Sequence, residues 1–382
     1  MNPDRDLTIL LTLKDRADYT FRWLAYAQQT RLPFKVLIAD GGADESVPRA
    51  LSDKSRFPDV DYDYLRFPYD ASYSDYYAKI VGALDRVRTP YVVMADNDDF
   101  FFARALRQSV EFLATHPDYV ACGGYSAVFW VDSLPGNAER RSYADHVQWK
   151  CSSELRSIEA QGADDRVREL ACSYADAFYD VKRTSDARNG FAAVLKLDPS
   201  DLFLVELLVQ FLSAIAGKIK RLDTLHIARQ HDSPDSSGGS HERQHGDWLG
   251  RMLVDSWSRE FMQFLDATAG ALSVAEGIPV EIAREHIRSA YRMSVAPSLL
   301  SDLMSEPTVT PVMAAWIAAV RRAVKLPGGS RLRSVLRWVY RRSQWVPHEV
   351  VLGAAFVKVK SRGAAADFAP VREFLTRKPK PD

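Results

Sequence analysis

The sequence predicts an α/β fold, a mainly parallel sheet sandwiched by helices and followed by a mostly helical C-terminal region. Three observations carry this. Over the first 120 residues, short apolar runs alternate with amphipathic stretches, as parallel strands joined by crossover helices do. Three of those runs end in polar clusters: Thr12-Leu-Lys14-Asp15-Arg16, Asp40-Gly-Gly and Asp96-Asn-Asp98-Asp99. Open parallel sheets take their ligands at such strand ends. From residue 245 onward the apolar spacing is helical.

Residues 7–12 read as a buried strand and 18–31 as a helix with Phe21, Leu24 and Ala25 on its apolar side. A second strand follows at 34–39 and a third at 60–66. A helix at 73–87 leads to the fourth strand, 91–95, and a helix at 103–115 leads to a strand near 119–122. Residues 125–195 give no clear period. Asp198-Pro-Ser-Asp201 introduces a strongly apolar helix over 201–217, followed by a strand at 219–228 and a Ser/Gly-rich loop at 232–240. Two regions result, 1–240 and 241–382.

Composition excludes several classes. With 382 residues, 47% hydrophobic and 26% charged, the chain is neither disordered nor a small module. No apolar run approaches the ~20 residues of a membrane span. The N-terminal Met-Asn-Pro-Asp-Arg-Asp lacks the apolar core of a secretion signal, so a cytoplasmic protein is expected. Cys122, Cys151 and Cys172 are odd in number and widely spaced, which argues against a disulfide framework or a zinc knuckle. The net charge is zero but uneven. Residues 241–382 hold 21 Lys/Arg and 14 Asp/Glu, and the first 240 hold 29 and 36. Two regions with different partners fit this split; no nucleic-acid partner is expected.

Five constellations can carry chemistry. The carboxylates of Asp96, Asp98 and Asp99 can share a hard divalent cation, or else serve as turn and cap residues for the helix at 103. Asp40 can accept hydrogen bonds from a base or ribose, with Gly41 and Gly42 allowing close approach, or be an ordinary turn. Glu206 lies in a helix that is otherwise almost wholly apolar. With Gln210, Ser213 and Gly217 it forms one narrow stripe that suits a cavity wall. Partial burial there disfavours the charged form and makes a better base; the alternative is a solvated acid on a core helix. Arg229-Gln-His231 and the loop after it can close over an anion, with His231 as a nitrogen ligand to the cation, or form a plain surface loop. Residues 321–342 carry eight Arg/Lys and no acid around an apolar face of Leu332, Val335, Leu336, Val339 and Tyr340. Such a helix lies on an anionic membrane or packs that face on the body. Neither G-x-G-x-x-G nor G-x-x-x-x-G-K-[ST] occurs, so dinucleotide and P-loop folds fit poorly.

In order along the chain, these residues resemble the family 2 glycosyltransferases of GT-A fold, including the bacterial branch of surface-polysaccharide clusters. The match spans about the first 235 residues. It consists of Leu-Leu-Thr12 with Lys14-Asp-Arg16, Leu-Ile-Ala-Asp40-Gly-Gly, Thr-Pro-Tyr-Val-Val-Met-Ala-Asp96-Asn-Asp98-Asp99, Thr-His-Pro-Asp118, and Glu206 with Ala216-Gly-Lys-Ile and Ile-Ala-Arg229-Gln. The resemblance implies that Thr12 and Asp40 hold the nucleotide. Asp96 would meet the ribose, and Asp98 a Mn²⁺ or Mg²⁺ ion on the diphosphate. Lys79 would serve the nucleotide, Glu206 would be the catalytic base, and Asp176 would lie on the acceptor side; beside these, Lys14, Arg16 and Arg229 are expected at the nucleotide and His231 at the metal. The usual Asp-Asp/Asn-Gly-Ser after the second strand is Asp40-Gly-Gly-Ala here, and the Gln-x-x-Arg-Trp of processive synthases is missing.

The expectation is therefore a metal-dependent, inverting, non-processive hexosyltransferase in bacterial polysaccharide or glycolipid assembly. Its donor would be a nucleotide-sugar, most simply a UDP-sugar, and its acceptor a saccharide or lipid-linked sugar. A peripheral contact with the inner face of the cell membrane would come from the basic tail. Two rivals are a sugar-phosphate nucleotidylyltransferase and a non-catalytic scaffold of a polysaccharide-assembly complex.

Overall fold

A computed structural model describes residues 2–132, 143, 146–151, 156–173, 177–231, 233, 248–304 and 364–376. The strands are β1 Leu7–Leu13, β2 Lys35–Asp40, β3 Tyr62–Arg66, β4 Tyr91–Asp96, β5 Phe100–Phe101, β6 Tyr119–Asp132, β7 His146–Cys151, β8 Val181–Arg183 and β9 Lys218–Gln230. They form one sheet in the order β3-β2-β1-β4-β8-β6-β9-β5, with β7 paired to β6. β3, β2, β1 and β4 run parallel, as do β6 and β9; β8 links the two parts antiparallel to both. The sheet is thus mostly parallel and covered by helices, as the sequence predicts.

The helices are α1 Pro3–Asp6, α2 Ala17–Gln29, α3 Ser46–Leu51, α4 Tyr73–Leu84, α5 Ala103–Thr115, α6 Ala163–Ser173, α7 Thr184–Leu197 and α8 Leu202–Ala216, then α9 Trp248–Met252, α10 Trp257–Glu276, α11 Val280–Met304 and α12 Ala364–Thr376. Successive side chains of a strand point to opposite faces. Leu10, Val92 and Met94 therefore join the core under α4, α7 and α8, whereas Ile9, Leu11, Val93 and Ala95 join the one under α2, α3 and α5. The first core continues without a break into Phe264, Leu265 and Leu272 of α10 and Ala283, Ile287 and Tyr291 of α11. A third cluster seats Phe368, Val371, Phe374 and Leu375 of α12 on Phe100, Phe129 and Leu225.

The strand called near 119–122 runs on to Asp132, and residues 125–195 hold β7, α6, β8 and α7. Gly123 and Gly124 hide the continuation, since they supply no alternating side chains. Each is required by close packing: a Cβ on Gly123 would meet Asp180 Oδ1 at 2.0 Å, and one on Gly124 the Thr224 carbonyl at 2.2 Å. The basic segment 321–342, Asp176 and most of the loop at 232–240 lie outside the described residues. Among the described residues, no helix is long and apolar enough to cross a membrane.

Candidate active site

Strand register assembles the site. Thr12 of β1 lies opposite Asp96 of β4, Leu13 opposite Asp40 of β2, and Asp40 opposite Arg66 of β3. Four neighbouring parallel strands thus end together, and their carboxyl ends carry the polar groups. Asp96, Asp98 and Asp99 each offer a carboxylate oxygen, and these lie within 4.8 Å of one another. The turn that bunches them is short, because β5 starts again at Phe100 and pairs with Ala228 of β9.

Each carboxylate has partners of its own. Asp96 accepts from Tyr179 Oη at 2.6 Å and from Thr12 Oγ1 at 3.3 Å. Asp98 accepts from Arg16 Nη2 at 2.9 Å. Asp99 accepts the Gln230 N–H at 3.1 Å and pairs with Arg229 Nε at 3.4 Å. Asp99 does not cap the following helix, whose N-cap is Phe102, without a side-chain cap. Burial, reinforced by the charge of Asp98, raises the carboxyls of Asp96 and Asp99, Asp99 strongly. At Asp98 burial also works upward, but the charge and hydrogen bond of Arg16 outweigh it and the carboxyl lies below its ordinary value. Three hard oxygen donors this close fit a divalent cation of the Mg²⁺ or Mn²⁺ kind. The guanidinium on Asp98 marks where positive charge is favoured.

Arg16 reaches Asp98 because the chain turns through two consecutive left-handed residues, Asp15 at φ 56° and Arg16 at φ 57°. Neither is a glycine, and such backbone costs about 1–3 kcal/mol per residue. It is held by Asp15 Oδ1, which accepts the Ala43 N–H at 2.7 Å, and by Asn97 Nδ2, which donates to the Arg16 carbonyl at 3.5 Å. Asp40 is buried; it accepts from the Gly42 N–H at 2.8 Å, Tyr64 Oη at 2.7 Å and Arg66 Nη1 at 2.9 Å. Lys14 is exposed over the Tyr69 ring at 5.3 Å. Lys79 is 2% exposed; its ammonium is committed to Asp70 and, at 2.7 Å, to the Leu13 carbonyl.

Glu206 is half-buried on α8. The Tyr76 hydroxyl of α4 is raised chiefly by burial and then by the charge of Asp96, with smaller contributions from Asp70 and Glu206, while a hydrogen bond with Thr12 opposes the rise. Farther along, the stripe is a polar seam rather than a cavity wall. Gln210 and Ser213 are buried, and Ser213 donates to Asp186 at 2.7 Å while accepting from Lys182 at 3.0 Å. His231 is exposed, sits edge-on to Trp130 at 5.3 Å, and is not a member of the Asp96, Asp98 and Asp99 group. Arg229 lies over the Tyr179 ring at 4.4 Å.

Four residues of this site are not singled out by the sequence: Arg22, Tyr64, Tyr76 and Tyr179. Arg22 donates to Gln230 Oε1 at 2.8 Å and to the Asp98 carbonyl at 3.1 Å, and burial lowers its pKa to about 10. A cation between Tyr19 and Trp23 on the inner side of α2 is the available signal, since unpaired arginines are rarely buried.

No protein-family model matches the sequence, and no curated protein matches it. Among solved structures, residues 1–349 of S. aureus TarS in complex with UDP-GlcNAc align at 11% identity over 94% of this chain and 92% of that one, with a TM-score of 0.46. The mannosyltransferase PcManGT from Pyrobaculum calidifontis, in complex with GDP-Man and Mn²⁺, aligns at 11% identity over 95% and 87%, with a TM-score of 0.41.

Proposed function

We propose that the protein is an inverting, non-processive glycosyltransferase that moves a sugar from a nucleotide-sugar, a UDP-sugar, to a hydroxyl of a saccharide or lipid-linked acceptor. The observation that carries the reading is the convergence of Thr12, Asp40 and the Asp96, Asp98 and Asp99 group at the ends of adjacent parallel strands. A ligand crossing that edge meets a carboxylate for its base or ribose at Asp40 and Asp96. It then meets a cluster fit for a cation on its diphosphate. When bound, Mn²⁺ or Mg²⁺ supplies positive charge against which a diphosphate departs.

The chain's own groups do the rest. Arg16 and Arg229 flank the cluster and favour an anion beside it. Glu206, half-buried on α8, takes the proton of the acceptor hydroxyl. The freed oxygen attacks the anomeric carbon from the face opposite the diphosphate, so the configuration inverts. Bond making and breaking are concerted in one displacement, and the nucleoside diphosphate leaves with its electron pair.

Two variants test this together. Asp98→Ala removes one oxygen donor and no apolar packing; Mn²⁺-dependent UDP binding, followed by calorimetry, should vanish while the fold persists. Glu206→Gln keeps the shape but cannot take a proton. Transfer should fall by ~10²-fold or more with UDP affinity nearly unchanged. Unaltered metal-dependent binding in the first variant, or unaltered turnover in the second, defeats the corresponding assignment.

A further inference from the structure

The Asp98 carboxylate is already neutralised from within the chain. Arg16 Nη2 lies 2.9 Å from its Oδ2, with the two side chains 18% and 8% exposed. The same guanidinium also donates to Ser233 Oγ and lies over the Tyr19 ring at 4.4 Å. Its aim is fixed by the paired left-handed residues Asp15 and Arg16. Around the cluster, Arg16 pairs with the Asp98 carboxylate and Arg229 with that of Asp99, while Arg22 donates to the Asp98 carbonyl and Asp96 accepts from Tyr179 and Thr12. Among the described residues, the Asp98 carboxylate is thus ion-paired with Arg16.

We propose that Arg16 is a built-in competitor of the divalent cation at Asp98, so that the free protein takes the cation together with a nucleoside diphosphate and only weakly by itself. The inference rests on the reading of the cluster as a cation site. A lone divalent ion entering there must displace Arg16 from a charge-assisted hydrogen bond and stay beside its positive charge. A nucleoside diphosphate changes the balance. Its phosphoryl oxygens give Arg16 an anion to pair with as it leaves Asp98, and they add ligands to the ion. By linkage, Mn²⁺ and UDP raise each other's affinity by the same factor.

The test is Mn²⁺ binding to the whole protein, read from the electron paramagnetic resonance signal of free Mn²⁺, with and without UDP. Arg16→Asn removes the charge with a residue that tolerates left-handed backbone, and Arg16→Lys keeps the charge. Without UDP, Arg16→Asn should bind Mn²⁺ at least tenfold more tightly than wild type, and Arg16→Lys should stay near wild type. Equal Mn²⁺ affinity in wild type and Arg16→Asn, with UDP binding still metal-dependent, overturns the inference and leaves the proposed function standing. UDP binding without metal dependence, together with no bound Mn²⁺ in any variant, removes the cation site and the inference with it. Should loss of the charge unfold the protein, wild type alone decides: Mn²⁺ held as tightly without UDP as with it overturns the proposal, and a tenfold or greater gain with UDP supports it.

Discussion

Gly41 has no room for a side chain. A Cβ there would lie 2.2 Å from Asp70 Oδ1 and 2.5 Å from Asp70 Cγ. Asp70 cannot easily retreat, because its N–H donates to the Gly41 carbonyl at 2.9 Å and its carboxylate pairs with buried Lys79. Gly42 is confined as well, with its added Cβ 2.6 Å from the Asp15 nitrogen. The bare position after Asp40 therefore has a steric cause: Asp70 lies against Gly41. Gly41→Ala should cost about 1–3 kcal/mol, the usual range for overpacking a filled site. UDP affinity should fall with it, since Asp40 is the preceding residue. Urea unfolding and a UDP titration check both. An alanine variant as stable as wild type would mean that the Asp70 loop shifts freely.

Lys79 ties helix α4 to the ends of two strands. Its ammonium meets the Leu13 carbonyl of β1 and the Asp70 carboxylate, and the Gly41 N–H donates to the same Leu13 carbonyl at 3.0 Å. Burial works against the charge on both partners, lowering Lys79 and raising Asp70. Removing one of them strands the other, so Lys79→Met should cost about 3–5 kcal/mol. Lys79→Met with Asp70→Asn should cost less than the two single changes added together, because no lone charge remains. Additive losses in denaturant melts would show that the pair does not act as a unit. Such coupling is what the sequence hides. β1, β2, β4 and α8 are legible because each is an apolar run closed by polar residues, and the Asp96–Asp99 group is legible because it follows such a run. Lys79 is assigned to the nucleotide by resemblance alone, and nothing local in the sequence says that Asp70, nine residues earlier, pairs with it. Tyr76 and Tyr179 meet Thr12 and Asp96 only through tertiary packing. β5 is two residues long, too short for any period to appear.

At the scale of the whole molecule, the Asp cluster is braced from behind by the far end of the chain. Phe100, directly after Asp99, packs on Tyr26 of α2 at 4.6 Å between ring centroids and on Phe374 of α12 at 6.0 Å. Phe368 of the same helix stacks on Trp149 at 4.5 Å and adjoins Phe129 at 6.2 Å. Helix α12 therefore spans strands β5, β6, β7 and β9 of one sheet. The sheet itself is shared by the cores on both faces. A helix anchored this way should not melt separately. Phe368 is 1% exposed, and Phe368→Ala should destabilise by about 3–5 kcal/mol, the range for removing a buried phenylalanine. The loss should lower the midpoint of the main thermal transition rather than split off an early one. Because Phe100 shares the cluster, UDP affinity should drop before global unfolding begins. Calorimetry beside a UDP titration at rising temperature reads both. A separate low-temperature transition with UDP binding untouched would mean that α12 covers the sheet without supporting the strand ends.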